Sequence, residues 1–130
     1  MKTSYFQNPR LIAAQKAGAV AVVQISNGAP RWGARPDFHL ECLMPPVEIV
    51  EAAHAGAMTE ADFARLYTAH LDTFDEGEIA AAILDLAAQA APRDPVLCCF
   101  EALKKPGQFC HRRMFADWWT AKMGERIEEL

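Results

Sequence analysis

The 130-residue chain carries 13 Lys and Arg against 17 Asp and Glu, a formal net charge of −4, with 52% apolar and 23% charged residues. That balance excludes a disordered or fibrous chain and describes one globular domain, spanning residues 1–130, that buries roughly two-thirds of its unfolded surface. No run of about 18 apolar residues exists, so no membrane contact through a spanning helix is expected. Met1-Lys2-Thr3-Ser4-Tyr5 turns polar at once, unlike a signal peptide, which points to the cytoplasm.

The charge is uneven. Residues 1–45 carry five basic and two acidic groups, residues 46–94 two basic and ten acidic, and residues 95–130 six basic and five acidic. If the two ends meet in the fold, they form a locally basic face on an acidic protein. Such a face suits a small anion or a nucleotide better than a long nucleic-acid backbone, whose binders carry an overall basic footprint.

Lys2 to Phe6 reads as a first strand. Pro9 opens a helix to about Ala17, and Gly18 ends it. Residues 19–26 form a short stretch, rich in β-branched residues and largely apolar, the pattern of a central strand covered on both faces. The turn-rich loop Asn27-Gly28-Ala29-Pro30-Arg31-Trp32-Gly33 leaves that strand where open α/β sheets bind ligands. Arg31 and Trp32 there offer an anion contact and a stacking ring, although packing on a neighbouring helix is the commoner fate of a loop Trp.

Pro46 opens a second helix through Ala55. Thr59 and Asp75 are N-cap candidates for the next two, and Phe63, Leu66, Tyr67, His70, Leu71 and Phe74 follow helical spacing on the first of these. His70 reads as a core histidine. Pro92 stops the third of these helices, residues 95–101 form a strand, and the last helix starts near Cys110 and is anchored by Trp118 and Trp119. Apolar strands joined by helical crossovers imply an α/β fold: a small, mostly parallel sheet with helices on both faces.

The chemistry gathers at the end of the chain. Cys99 and Glu101 close the strand, and Cys110, His111, Arg112 and Arg113 open the helix. A carboxylate at the end of a buried strand must be paired or shifted, so Glu101 is a candidate acid or base, or a partner of Arg112 or Arg31. A thiol at a helix start beside His and Arg is a candidate nucleophile, although most free cysteines are simply packed. Gly107, Arg112 and Arg113, in a segment that also holds Lys104 and Lys105, suit an anion at a helix N-terminus. The Cys-x5-Arg phosphate loop is absent, because Ala116 and Lys105 stand six residues after Cys110 and Cys99. Four cysteines are too few for a disulfide scaffold, and reduced thiols are expected. A zinc site from His39-x2-Cys42 with Cys99 and Cys110 or His111 is a rival reading. The favoured one needs no metal and no cofactor.

Leu97-Cys98-Cys99-Phe100-Glu101 followed by Cys110-His111-Arg112 resembles the "L-L-C-x-E … C-H-R" signature of the family called domain of unknown function 488. Thr3 to Asn8, Ser26 to Pro30, Leu43-Met44-Pro45 and Tyr67 to Leu71 are similar to its other motifs, so the resemblance spans nearly the whole chain. It aligns Cys99, not Cys98, with the family cysteine. Gln24-Ile25-Ser26 stands where a more familiar version has Asp-Val-Arg, and Arg113 is an added charge. The resemblance implies the fold and the site more than a reaction. Two functions are therefore expected in competition. One is an enzyme on a nucleotide, nucleic-acid end or other anionic small molecule, with Cys99, Glu101, Cys110 and His111 catalytic and Gly107, Arg112, Arg113 and Arg31 binding the anion. The other is a non-catalytic module that binds an anion or an acidic partner through the same residues and whose cysteines are structural.

Overall fold

The computed structural model describes residues 1–104 and 107–130. Its elements are β1 (Lys2–Tyr5), α1 (Pro9–Lys16), β2 (Val20–Gln24), β3 (Phe38–His39), a 3-10 turn (Glu41–Leu43), α2 (Val47–His54), α3 (Glu60–Leu71), α4 (Glu76–Ala90), β4 (Asp94–Cys99), α5 (His111–Met123) and β5 (Glu128–Glu129). The strands form one sheet in the order β3-β2-β4-β1-β5, and every neighbouring pair is parallel. The architecture is the α/β class that the strand–helix alternation implies.

The helix boundaries follow local chemistry. Asn8 caps α1, its side chain accepting from Arg10 N–H, with Pro9 in the first turn. Thr59 accepts from Asp62 N–H and Asp75 from Gly77 N–H, so both expected N-caps are used. Gly124, at φ 73°, ends α5 in the left-handed conformation.

The two central strands sort their side chains by alternation. Val20, Val22, Val96 and Cys98 pack with Phe6 and Leu11 beneath α1. Val23, Ile25 and Leu97 face the opposite core, which α2 to α5 supply. One helix thus covers one face and four cover the other. Cys98 and Cys99, adjacent on β4, point to opposite faces as strand geometry requires.

Two edge strands escape the sequence pattern. β3 pairs with β2 through Val23–Phe38 and Gln24–His39, and β5 pairs with β1 through Lys2–Glu128 and Thr3–Glu129. Each has only two residues, too short for any periodicity. The register Ser4–Cys98 and Tyr5–Cys99, with Gln24–Cys98 on the other side, brings the carboxyl ends of β1, β2 and β4 to one level. The segment after β2 and the helix after β4 both leave from that level. No helix among the described residues is long and apolar enough to cross a membrane.

Candidate functional site

A cavity of about 380 Å³ opens beyond the carboxyl ends of β2 and β4. Ser26, Asn27 and Gly28 line it from the loop after β2, and Cys99, Phe100 and Glu101 from the end of β4. Gly107 to His111 close one wall, and Val50, Ala53, His54 and Phe63 supply the helical side. Asn27 donates to the Pro45 carbonyl at 3.0 Å, which ties the loop to the start of α2. Phe63 and Phe109 pack at 5.3 Å between ring centres across the apolar part.

Cys99 and Cys110 meet on this wall, and their sulfurs are joined in a disulfide that links the end of β4 to the N-cap of α5. This corrects the expectation of reduced thiols at these two positions. Composition bears on the redox compartment, not on which sulfurs the fold brings together. Cys98 and Cys42 are free. Cys98 lies on the other face, where burial pushes its thiol far up, out of the reactive range.

Each bonded sulfur has a partner of its own. Arg112 Nη1 lies 3.1 Å from Cys99 Sγ and also donates to the Glu101 carbonyl at 2.6 Å. His111 Nδ1 lies 3.9 Å from Cys110 Sγ. His111 Nε2 stands 2.7 Å from the Ile25 carbonyl, an acceptor with no proton to give, so Nε2 carries the hydrogen. The neutral ring then leaves a lone pair on Nδ1, on the side of the sulfurs. Burial first, and the Arg112 charge after it, hold His111 down to about 4 against the raising effect of the Ile25 bond, so the ring is neutral at pH 7. Tyr67, buried and donating to the Leu43 carbonyl at 2.6 Å, sets its ring edge against His111 at 5.4 Å. Glu101 Oε2 lies 3.6 Å from Cys99 Sγ on the cavity wall.

The expected anion holders stand elsewhere. Arg112 is fully buried, and its Nη2 and Nε donate to Glu129 Oε1 at 2.7 and 3.1 Å. Arg113 donates to Thr3 Oγ1 at 2.9 Å and to the Ile127 carbonyl at 3.0 Å, with Glu129 Oε2 at 3.9 Å. The anion these two cations meet is a side chain of the same protein. Burial would raise the Glu129 carboxyl, but bonds from Arg112 and Thr3 and the two guanidinium charges outweigh it and hold the group below the usual range. Arg31 belongs to the loop of residues 29–36, which borders a separate depression. Trp32 beside it is 68% exposed, not packed on a helix. Gly107, at φ 81°, does line the cavity. Lys105 of the basic segment lies outside the described residues. No Lys or Arg among the described residues lines the cavity beyond β2 and β4.

Cys99, Cys110 and His111 place their ligand-type atoms within 4.8 Å of one another; His39 and Cys42 of the rival zinc set do not join them. His70 stacks on Tyr67, with 6.4 Å between ring centres, and stays outside the site. Sequence reasoning missed Ile25, whose carbonyl fixes the histidine, and Glu129, whose carboxylate fixes Arg112. Neither carries a motif. Only the buried strand pattern around Ile25 pointed toward the site.

No protein-family model, no curated protein and no solved structure matches this chain.

Proposed function

We propose that this protein is a cytoplasmic two-cysteine redox enzyme, in which Cys99 and Cys110 cycle between dithiol and disulfide while the cavity holds a small, largely uncharged molecule. The observation that carries this reading is the pair of partners on the sulfurs: a buried guanidinium on Cys99 and a neutral imidazole lone pair on Cys110. A staple that only holds a fold together needs neither. The guanidinium stabilises a thiolate, and the neutral imidazole can take a thiol's proton as it reacts.

The chemistry follows from those contacts. In the reduced protein, Arg112 stabilises a Cys99 thiolate, and neutral His111 Nδ1 accepts a hydrogen bond from the Cys110 thiol and takes its proton as the sulfur attacks. The N-terminus of α5, whose cap residue makes no side-chain capping bond, adds its partial positive charge to the Cys110 sulfur. The Cys110 thiolate attacks one sulfur of a small disulfide. A mixed disulfide forms and the other half leaves as a thiolate. The Cys99 thiolate then attacks the Cys110 sulfur, expels the second half, and closes the Cys99–Cys110 bond. Two protein thiols are oxidised and one substrate disulfide is reduced; a small thiol then reduces the Cys99–Cys110 bond, is itself oxidised to its disulfide, and completes the cycle. His111, having taken the Cys110 proton, returns it to a leaving thiolate, and Glu101 borders the cavity wall beside Cys99.

An uncharged substrate replaces the anionic one expected from sequence, because Arg112 and Arg113 are engaged by Glu129 and the described lining is mostly apolar. The binding-module alternative has one observation in its favour: the same bond joins the sheet to α5, as a structural disulfide would. Turnover separates the two. The prereduced protein mixed with a chromogenic aryl disulfide releases two equivalents of aryl thiol per chain, beginning with a fast phase that Cys110→Ser abolishes. A rate no faster than that of free cysteine at the same pH would leave the module.

A further inference from the structure

We infer that the reduced form of this site binds a single thiophilic divalent ion of the zinc class, with Cys99, Cys110 and His111 as ligands and a fourth position facing the cavity. The inference concerns the same site as the redox reading but does not depend on thiol exchange taking place.

Three observations converge on it. The donor atoms of these three residues lie within 4.8 Å of one another, and all three side chains are buried. A tetrahedral ion with bonds of about 2.3 Å to sulfur and about 2.0–2.1 Å to nitrogen spaces its donors by about 3.5–3.8 Å, inside that limit. The histidine is also set as metal-bound histidines are set: one ring nitrogen donates to a backbone carbonyl, here Ile25, and the other points its lone pair at the site. Finally, the two cysteine Cα atoms are 7.4 Å apart. That is beyond the roughly 4.4–6.8 Å usual for direct cysteine pairs, and it leaves room for an ion between two thiolates.

The donor set selects the ion. Two thiolates and one imidazole favour zinc or another soft divalent ion over magnesium or calcium, which take oxygen ligands. Arg112, 3.1 Å from the Cys99 sulfur, offsets part of the dithiolate charge. Three protein ligands with a fourth position open to a cavity is the arrangement of catalytic rather than structural zinc. Glu101 borders the same cavity and lies 3.6 Å from Cys99 Sγ.

Metal and disulfide exclude each other, since both use the same two sulfurs. A bound ion therefore regulates the redox chemistry: it holds both thiolates and silences exchange until it is removed.

The test is cobalt(II) titration of the chelator-treated protein, reduced with a phosphine under anaerobic conditions. The expected result is sulfur-to-cobalt charge transfer with tetrahedral visible bands, saturating at one ion per chain and bleached by zinc. The oxidised protein gives no bands. Cys110→Ser and His111→Ala lose or shift them, whereas Cys42→Ser keeps them. Wild-type protection provides a measurement that needs no variant: zinc shields Cys99 and Cys110, but not Cys42, from alkylation. Absence of thiolate bands in the reduced protein, bands unchanged in Cys110→Ser, or equal alkylation of Cys42 and Cys110 with zinc present would overturn the inference. Failure here with aryl-disulfide turnover intact removes the metal alone. Cobalt binding without turnover removes the redox reading alone.

Discussion

His111 Nε2 and the Ile25 carbonyl are 2.7 Å apart, and that one bond decides what the other ring nitrogen does. β2 runs to Gln24, so Ile25 stands where the chain leaves the sheet with its side chain in the core and its carbonyl turned to α5. The strand thus sets the tautomer of a histidine 86 residues away. It leaves Nδ1 as the only ring atom able to take a proton or a metal.

The same burial predicts an acid-sensitive stability. His111 is held down to about 4, while a solvated histidine titrates near 6.5. Between these values the unfolded chain binds a proton that the folded chain refuses, so stability is full above about 6.5, falls through the window, and levels off below about 4. Urea unfolding of the metal-free, oxidised protein is expected to lose about 2 kcal/mol between pH 7.5 and pH 5. His111→Gln removes most of that slope. An unchanged wild-type midpoint across the window would show that the ring is charged in the fold.

Glu129 is predicted to matter more than its place on a two-residue strand suggests. It is the carboxylate partner of the fully buried Arg112. Glu129→Gln leaves that guanidinium short of its counter-charge. Breaking a buried pair costs about 3–5 kcal/mol, and the lower end is expected because the Glu129 side chain is 35% exposed. Chemical denaturation measures this loss. A change under about 0.5 kcal/mol, the size of an ordinary surface substitution, would mean that Arg112 finds its stabilisation elsewhere.

Gly33 is predicted to tolerate no side chain. Its φ is 102°, and an added Cβ would run into the Phe6 carbonyl. The close approach is used: Ala34 N–H donates to that carbonyl at 2.7 Å, pinning the loop of residues 29–36 to the end of β1. Gly33→Ala is expected to lower stability by at least about 1–3 kcal/mol. A melting midpoint equal to wild type would refute the backbone contact.

The cavity wall on α2 offers a separate control on substrate binding. Ala53 lines it from α2, an element that carries neither sulfur, His111 nor Arg112. Ala53→Phe fills part of the space, so KM for the aryl disulfide rises severalfold while alkylation of the reduced cysteines proceeds at the wild-type rate. Equal losses in both measurements would place the substrate elsewhere.

Much of this site was legible in the residues, for identifiable reasons. The apolar runs around Val22 and Leu97 mark central strands because both of their faces are buried, and Cys110 marks a helix start because the Trp118–Trp119 anchor follows at helical spacing. Those two elements alone bring Cys99, Cys110 and His111 to one place. The partners were not legible. Arg112 reads as a solvated anion holder until Glu129 is seen beside it, and Glu129 becomes a strand residue only by pairing with Thr3 at the sheet edge. Pairings of that kind are tertiary, and no local pattern encodes them.

The midpoint potential of the Cys99–Cys110 pair, read by alkylation and mass spectrometry in glutathione buffers, tests the central claim most directly. A pair built for turnover, with Arg112 and His111 stabilising its reduced form, is expected within the range of thiol–disulfide enzymes, about −270 to −120 mV. The couple should move to lower potential in His111→Ala, while Cys42 and Cys98 stay reduced throughout. A midpoint below about −300 mV, the range of inert structural disulfides, would contradict the redox reading and make the bond a staple beside a binding cavity.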